Sequence, residues 1–323
     1  MSQKKVCVVG AGYWGKNHVR TLDELGCLGG IVDADKNLLK KFRNDYPYIL
    51  IHDNLEETLS KNFYDGYVVA TPAETHFDIA KKIINNSKHI LIEKPLTLSI
   101  EHATYLVDLA NKNNINLMVG HLMLFHPAIK KIKKMIKDEM IGDLQYIYSN
   151  RLNLGKVRTE ENVFWSLAPH DISIFDYLIG SSPKKIISNG STFLQKGIPD
   201  STLTQIKYKN NIDGHIFVSW LHPFKEQRLV VIGSNAMITF EDSKDGKPLK
   251  LYTKKFDFEN GIPEKIDGPI TLIEYENKMP LAEELSYFIN HLDGKKLDIA
   301  NGKHALEVTK ILVNAGNQLI ENG

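Results

Sequence analysis

The stretch KVCVVGAGYWGKNHVRTL, residues 5–22, is the strongest indication of the fold class of the N-terminal part of the chain. Its apolar run, residues 6–9, has the composition of a buried strand, and an amphipathic helical pattern follows. Between the two stand Gly10, Gly12 and Gly15 in the pattern G-x-G-x-x-G. The glycine pattern alone is a weak signal, but a strand, this turn and a helix in that order are typical of a dinucleotide-binding unit.

An acidic residue strengthens this interpretation. Asp33 lies 18 residues after Gly15, in the second apolar stretch, residues 29–35. A carboxylate there accepts hydrogen bonds from a ribose 2′-hydroxyl and repels the 2′-phosphate of NADP, which favours NAD. The alternative, a glycine turn that binds no ligand, does not account for Asp33. The residues predicted to bind NAD here are Gly10, Ala11, Gly12, Tyr13, Trp14, Gly15 and Asp33.

Length and composition bound the rest of the chain. Its 323 residues are many for one core, so two domains are expected. The formal net charge of +1 gives no indication of a nucleic-acid or membrane surface. Two cysteines exclude a disulfide framework, and no apolar run approaches the ~20 residues of a membrane span. A cytoplasmic location is therefore the expectation.

The hydrophobic pattern changes near residue 120. Residues 1–120 alternate apolar strands with amphipathic helices, which predicts a parallel, doubly wound sheet with ligands at the carboxyl ends of its strands. Residues 121–323 contain a helix at 126–142, several stretches of period-2 alternation, and a helical stretch at 162–180. The second part is thus expected to be an α+β domain with an antiparallel or mixed sheet.

Two strand ends of the first domain carry further candidates. The motif ATPAETH contains Thr71, Pro72 and His76, and the motif IEKP contains Glu93 and Lys94. A lysine beside a bound nicotinamide can hydrogen-bond a substrate hydroxyl or take part in its deprotonation. The alternatives are a helix-capping turn for ATPAETH and a solvated ion pair for IEKP. We predict that all five residues contact the cofactor, and that Lys94 is also catalytic.

A histidine in the second domain is the other acid/base candidate. The stretch WSLAPHDISIFDYL, residues 165–178, places His170 on or just before a helix. Histidine accepts protons near neutral pH, although a lone histidine is often structural. The chain has no H-E-x-x-H or C-x-x-C pattern, so no metal site is predicted.

Taken together, the motifs resemble those of the glucose–fructose oxidoreductase/inositol dehydrogenase (Gfo/Idh/MocA) family over essentially the whole chain. The resemblance implies a Rossmann domain, a C-terminal domain with an open, mostly antiparallel mixed sheet, and homodimers or homotetramers formed through that sheet. It implies Lys94 as the active-site lysine and His170 as the histidine of the third family motif. The family's usual Asp in D-x-x-x-H is replaced by Ser166, which leaves Lys94 and His170 as the acid/base pair. The matching segments are GAGYWG (10–15), VDAD (32–35), ATPAETH (70–76), EKP (93–95), FHPA (125–128) and the helix at His170.

Within the family, residues 149–172 and 304–312 resemble the sugar-nucleotide 3-dehydrogenases. Those enzymes oxidise UDP-N-acetylglucosamine, or its uronic acid, to a 3-keto sugar that an aminotransferase consumes in amino-sugar or lipid A synthesis. Arginine suits a diphosphate, because its planar fork offers paired donors; the alternative is a polar loop with incidental arginines. A free polyol such as inositol, or a non-catalytic NAD- or sugar-nucleotide-binding regulator, stays open as an alternative. The predicted substrate-binding residues are Lys94, Arg151, Asn153, Arg158, Asn162 and His170.

Overall fold

A computed structural model describes residues 3–155 and 157–321 of the chain. The chain divides into two compact units. The first contains the N-terminal residues up to Phe125 together with Lys278–Thr309, and the second contains His126–Asn277 and the residues from Lys310 onward. In the described part, no helix is both long enough and apolar enough to cross a membrane.

The first unit is built on a parallel six-stranded sheet in the order β3-β2-β1-β4-β5-β6. The predicted doubly wound fold is therefore confirmed. Its strands are β1 (Val6–Val9), β2 (Leu28–Val32), β3 (Leu50–His52), β4 (Gly66–Val69), β5 (His89–Ile92) and β6 (Leu117–Val119). The helices between them are α1 (Gly15–Glu24), α2 (Lys36–Asp45), α3 (Leu55–Ser60), α4 (His76–Asn85) and α5 (Ile100–Lys112).

Local sequence explains these elements. Strands β1 and β4 are buried at every position, as expected for a sheet covered on both faces. Side chains cap three helices: Asp35 accepts hydrogen bonds from the first turn of α2, Asn54 from that of α3, and Ser99 from that of α5. The periodicity did not predict β3 and α3, because they are short and β3 is an incompletely buried edge strand.

The second unit contains an eight-stranded sheet in the order β16-β13-β12-β11-β7-β10-β9-β8. Only the β7–β10 pair is parallel among the strand pairs of this sheet that the structure describes. The predicted mixed, mostly antiparallel sheet is confirmed. Its helices are α6 (Pro127–Lys137) and α7 (Val163–Ile179). Its strands are β7 (Leu144–Leu152), β8 (Pro183–Ser191), β9 (Ser201–Tyr208), β10 (Asp213–Ser219), β11 (Glu226–Gly233), β12 (Met237–Glu241), β13 (Leu249–Tyr252) and β16 (Ile270–Leu272).

Helix α7 covers one face of this sheet, where it packs on β7, β9 and β10. Strand β9 shows the result, because buried and exposed residues alternate along it. A separate two-stranded ribbon pairs β14 (Lys255–Glu259) with β15 (Ile262–Ile266). Two C-terminal helices follow, α8 (Pro280–Ile289) in the first unit and α9 (Gly302–Glu321), within which the division between the units falls.

Candidate active site

The glycine turn between β1 and α1 leaves space for a ligand at one position. Gly10 has φ +84°, and a Cβ on it would lie 2.6 Å from Thr71 Cγ2. A Cβ on Gly15 would lie 1.9 Å from the Gly10 carbonyl oxygen, so the close approach of helix and turn requires glycine. A Cβ on Gly12, in contrast, would meet nothing within 4 Å. The backbone at Gly12 is therefore open to a pyrophosphate group.

The first turn of α1 offers backbone donors beside this opening. No described side chain caps the N-terminus of α1, and its first turn contains no acidic residue. The N–H groups and the positive end of the helix dipole can therefore bind an anion. The residues present fit a dinucleotide.

Asp33 stands at the edge of the same turn, directly after β2. Its Oδ2 accepts a hydrogen bond from the Ala11 N–H at 2.7 Å, and its Oδ1 accepts one from the Asp35 N–H at 2.9 Å. These bonds fix the carboxylate beside the glycine turn. Each oxygen retains a further lone pair for a ribose hydroxyl.

The ring of His76 is buried and joins two backbone segments. Only 1% of the residue is exposed. Its Nδ1 lies 2.8 Å from the Pro95 carbonyl oxygen, and its Nε2 lies 2.9 Å from the Thr71 carbonyl oxygen. His76 thus contributes to the site through the segments after β4 and β5, which carry Thr71–Pro72 and Glu93–Lys94.

Glu93 is the centre of a hydrogen-bonded cluster beneath the glycine turn. Its Oε1 accepts hydrogen bonds from the Trp14 indole N–H and from His18 Nε2, the latter at 2.7 Å. Its Oε2 accepts the Lys94 backbone N–H at 3.1 Å. Burial disfavours the charged carboxylate, but the bonds from His18 and Trp14 outweigh burial and lower the pKa of Glu93. Two predicted cofactor residues, Trp14 and Glu93, are therefore bonded to each other, and Glu93 holds the backbone of Lys94.

Two buried members of the first unit were missed by the sequence analysis. His18 on α1 and Glu284 on α8 have no exposed surface. Both stand on mainly apolar helix faces, since His18 shares its face with Leu22 and Glu284 shares its face with Phe288, one turn later. A polar residue on an apolar helix face was the available signal, because a buried polar group needs a partner or a function.

His121, which follows β6, is a further buried histidine of the first unit. Neither ring nitrogen has a hydrogen-bond partner among residues 3–155 and 157–321. Burial and the nearby charges of His304 and Lys94 hold its pKa well below the ordinary value, so the ring is neutral. In the same described ranges, no group of three or more His, Cys, Asp or Glu side chains is placed to hold a metal ion.

In the second unit, His170 lies within α7 rather than before it, directly after Pro169. The ring is half-buried, and Ser166 stands one helical turn earlier on the same face. The next residue, Asp171, is buried and faces β7. Helix α7 therefore presents His170 from a rigid, well-packed element.

Arg151 of β7 is bound by Asp171. Its Nε lies 2.9 Å from Asp171 Oδ2, and its Nη2 lies 3.2 Å from Oδ1. Burial alone would lower the pKa of Arg151, but the charge and hydrogen bonds of Asp171 outweigh burial and raise it. The paired donors that the sequence analysis assigned to a diphosphate are therefore directed at a carboxylate of the same unit.

The other three substrate candidates of this unit lie between β7 and α7. The Asn162 side chain accepts a hydrogen bond from the Trp165 N–H at 3.1 Å and caps α7. Arg158 is exposed and pairs with Glu161, with Nε 3.2 Å from Oε1. Asn153 is half-buried, and its backbone N–H donates to the Ser219 carbonyl. Arg158 thus has the more accessible of the two guanidinium groups.

Comparison with known families supports the assignment of both units. Residues 4–121 match the GFO/IDH/MocA oxidoreductase family, NAD-binding Rossmann fold. Residues 129–239 match the GFO/IDH/MocA C-terminal domain.

Individual relatives are distant in sequence. Scyllo-inositol 2-dehydrogenase (NAD(+)) of Bacillus subtilis is 26% identical, with 73% of each chain covered. UDP-N-acetylglucosamine 3-dehydrogenase of Acidithiobacillus ferrooxidans is 26% identical over 59% of each chain. A solved structure of that enzyme superposes with a TM-score of 0.87 at 20% identity, covering 100% of this chain and 99% of the other. Levoglucosan dehydrogenase, solved with NADH and levoglucosan, gives a TM-score of 0.85 at 17% identity, covering 100% and 98%.

Proposed function

Because the chain belongs to the Gfo/Idh/MocA family and is an NAD-dependent dehydrogenase of sugars, we propose that it oxidises the 3-hydroxyl of UDP-N-acetylglucosamine. The product is the 3-keto sugar nucleotide. The observation that carries this proposal is the polar segment of residues 151–162, which leads directly into the helix that presents His170. A nucleotide sugar needs cationic and amide donors next to the acid/base group, and this segment supplies them.

The residues of the first unit have distinct proposed roles toward the cofactor. The backbone at Gly12 and the first turn of α1 bind the pyrophosphate, Asp33 binds the adenosine ribose, and the segments at Thr71 and Lys94 border the nicotinamide. NAD, when bound, supplies the hydride acceptor. The hydrogen bonds of Glu93 with His18 and with the Lys94 backbone N–H hold the residues that follow β5.

The remaining roles concern the substrate. We assign proton uptake from the 3-hydroxyl to the His170 ring, assisted by the Lys94 ammonium group as a hydrogen-bond partner of the same oxygen. Arg158 and Asn153 are assigned to the UDP moiety. Arg151 acts mainly by holding Asp171, the residue next to His170.

A second candidate substrate is a free polyol. It is supported by the similarity to scyllo-inositol 2-dehydrogenase, which covers more of the chain than the similarity to the sugar-nucleotide enzyme. The exposed Arg158–Glu161 pair would then have no substrate role. UDP-N-acetylglucosaminuronate is a close variant of the first proposal.

We further propose that the chain forms homodimers or homotetramers through the uncovered face of its second sheet. This face carries half-exposed aromatic rings. The rings of Tyr148 and His215 are stacked with their centroids 4.9 Å apart, and the Tyr146 hydroxyl oxygen lies 2.6 Å from His215 Nδ1. An aromatic face of this kind is typical of interfaces. We also propose a cytoplasmic enzyme that feeds an aminotransferase; its two cysteines, both free, suit a reducing compartment.

Cofactor reduction tests the proposed substrate. The purified chain and NAD⁺ are mixed separately with UDP-N-acetylglucosamine, its uronic acid and myo-inositol, and NADH absorbance is followed. Parallel samples contain 2-oxoglutarate, or a transaminase with glutamate, to relieve an unfavourable equilibrium. We expect NADH or a 3-amino sugar with UDP-N-acetylglucosamine. Turnover of inositol alone would replace the proposal with the polyol candidate, and NAD binding without turnover of any of the three would overturn it.

A further inference from the structure

Glu284 is a buried acid that the proposed reaction does not use. Its side chain has no exposed surface, and neither carboxyl oxygen has a hydrogen-bond partner among the described residues. The neighbouring Leu285 and Phe288 of α8 are fully buried and anchor the helix. An unpartnered buried carboxyl group costs folding free energy, and such groups in native proteins call for an explanation.

Besides burial, a second carboxylate affects the ionisation of Glu284. Burial, and then repulsion from Glu93, hold the pKa of Glu284 well above its ordinary value. The pKa of Glu93 is instead lowered by its bonds to His18 and Trp14. The two environments act in opposite directions, because burial without a hydrogen-bond partner favours the neutral form of Glu284, whereas the bonds to Glu93 favour its charged form.

The elements around α8 supply few other buried charges. Helix α8 packs on α1 and on the 3₁₀ helix Leu122–Phe125. Four buried histidines lie on these elements or their flanks. His18 on α1 is bonded to Glu93, and His121 before the 3₁₀ helix is neutral. His126 after the 3₁₀ helix accepts the Ala128 N–H, and His291 after α8 is bonded to the Tyr287 carbonyl. A Cβ on Gly120 would lie 3.0 Å from Glu93 Oε2, so the Glu93 carboxylate fills the space beside that glycine. Lys94 contributes the remaining charge near Glu93.

We propose that Glu284 is a proton-holding positioning residue for the cofactor end of the active site. As a neutral carboxylic acid, it permits Glu93 to stay ionised. Ionised Glu93 in turn holds the Trp14 indole at the glycine turn and the Lys94 backbone at the end of β5. Loss of the Glu284 proton places two like charges in one buried cluster and weakens both attachments.

This inference rests on the proposed role of Lys94 and of the glycine turn, but not on the identity of the sugar. Its first test is the infrared carbonyl stretch of a protonated carboxylic acid in the whole protein at neutral pH. We expect a band that shifts in D₂O, is lost in Glu284→Gln and is retained in the matched control Glu283→Gln on the same helix. An identical spectrum for wild type and Glu284→Gln would overturn the proposal.

The second test measures the consequence at Trp14. The chain has three tryptophans, so the Trp14 indole N–H resonance can be assigned by its loss in Trp14→Phe. We expect it to keep its wild-type position in Glu284→Gln, where the neutral side chain is preserved, and to move in Glu93→Gln. If the Trp14 resonance moves as far in Glu284→Gln as in Glu93→Gln, a neutral side chain at position 284 does not preserve the cluster. That result would contradict the proposal.

NADH binding followed by fluorescence over rising pH completes the experiment. Above the transition of Glu284, the protonated fraction of the wild type falls about tenfold per pH unit, and NADH affinity is expected to fall with it. In Glu284→Gln, NADH affinity is expected not to show this decrease with pH. An identical decrease in the wild type and in Glu284→Gln would contradict the proposal. If neither protein binds NADH, the proposed function fails, while the infrared and indole measurements still decide the role of Glu284.

Discussion

The glycine turn of the first unit and the polar segment 151–162 of the second unit differ in how their residues act. At the turn, Gly10 and Gly15 allow close packing of the backbone, and the missing Cβ of Gly12 leaves open space for a ligand. In the segment, Arg151 pairs with Asp171, Arg158 pairs with Glu161, and the Asn162 side chain caps α7. The spacing of glycines in the sequence can predict a site formed by the backbone. A site formed by side chains depends on which other side chains the fold places in contact with them.

Lys94 gives the largest expected effect and tests whether the first unit contributes chemistry as well as binding. Lys94→Met should lose about 10²–10⁴-fold in kcat, the typical contribution of a positioned acid/base group, while NADH binding is retained. Steady-state kinetics and NADH fluorescence measure the two quantities. The exposed Lys112→Met on α5 is the control. Near-normal turnover of Lys94→Met would reject its catalytic role.

The Arg151–Asp171 pair tests the structural side of the comparison. Asp171→Ala leaves a buried guanidinium unpaired and should lower the free energy of unfolding by about 3–5 kcal/mol. Glu161→Ala, which unpairs the exposed Arg158, should cost less than about 1 kcal/mol. Urea unfolding compares the two variants. Equal decreases in the free energy of unfolding would mean that the buried and the exposed arginine pair contribute equally to stability.

Asp33 tests cofactor choice at the glycine turn. Asp33→Asn keeps an acceptor for the Ala11 N–H but removes the charge, so NADH affinity should fall by about 1.5–3 kcal/mol, or roughly 10–100-fold. NADPH affinity should not fall, because the repulsion of its 2′-phosphate is relieved. Fluorescence titrations give both constants, with Asp35→Asn as the control, since asparagine also caps α2. An unchanged ratio of NADH affinity to NADPH affinity would show that Asp33 does not determine cofactor choice.

Glu284 makes stability depend on pH with a defined sign. Because its folded pKa is raised above the ordinary value of 4.5, the folded chain retains a proton that the unfolded chain releases as the pH rises above that value. Wild-type stability should therefore decline by about 1.4 kcal/mol per pH unit relative to Glu284→Gln, up to the folded pKa. Urea unfolding from about pH 5 to about pH 8 checks this slope. Glu283→Gln should track the wild type, and a pH-independent difference for Glu284→Gln would contradict the assignment.

Asn162 gives the smallest expected effect and separates capping from binding. Asn162→Ala should cost about 1 kcal/mol of stability through loss of the α7 cap, whereas Asn162→Asp preserves the cap. Thermal unfolding measures stability, and KM for the nucleotide sugar measures binding. A raised KM in both variants would give Asn162 a substrate role, and a KM equal to wild type in both would limit it to capping.

Most of the fold followed from hydrophobic periodicity. The continuous apolar strands of residues 1–120 predicted the parallel sheet, and alternation predicted the second sheet. The sequence analysis did not predict the short strand β3 or the exposed strands β14, β15 and β16, which bury little side-chain surface. In β14 the residues KFDFE do alternate, but both phenylalanines are exposed. The return of Lys278–Thr309 to the first unit is a tertiary feature without a local signature.

The residues of the candidate site also differ in whether the sequence alone could predict their positions. Gly12 and Asp33 occupy the positions that the spacing assigned to them. The pairing of Arg151 with Asp171, and of Glu93 with His18, joins residues 20 and 75 positions apart, which no local pattern specifies. Glu284 lies on α8, far along the chain from Glu93, and its burial without a hydrogen-bond partner became visible only in three dimensions.

Hydride transfer from C3 of the sugar is the step that distinguishes the proposed 3-dehydrogenase from a dehydrogenase of another hydroxyl. UDP-N-acetylglucosamine carrying deuterium at C3 is incubated with the enzyme and NAD⁺ under single-turnover conditions, and the nicotinamide C4 of the product is examined by mass spectrometry and NMR. We expect deuterated NADH and a 3-keto sugar, with turnover lost in Lys94→Met. NADH without deuterium, or a ketone at another carbon, would contradict the proposal.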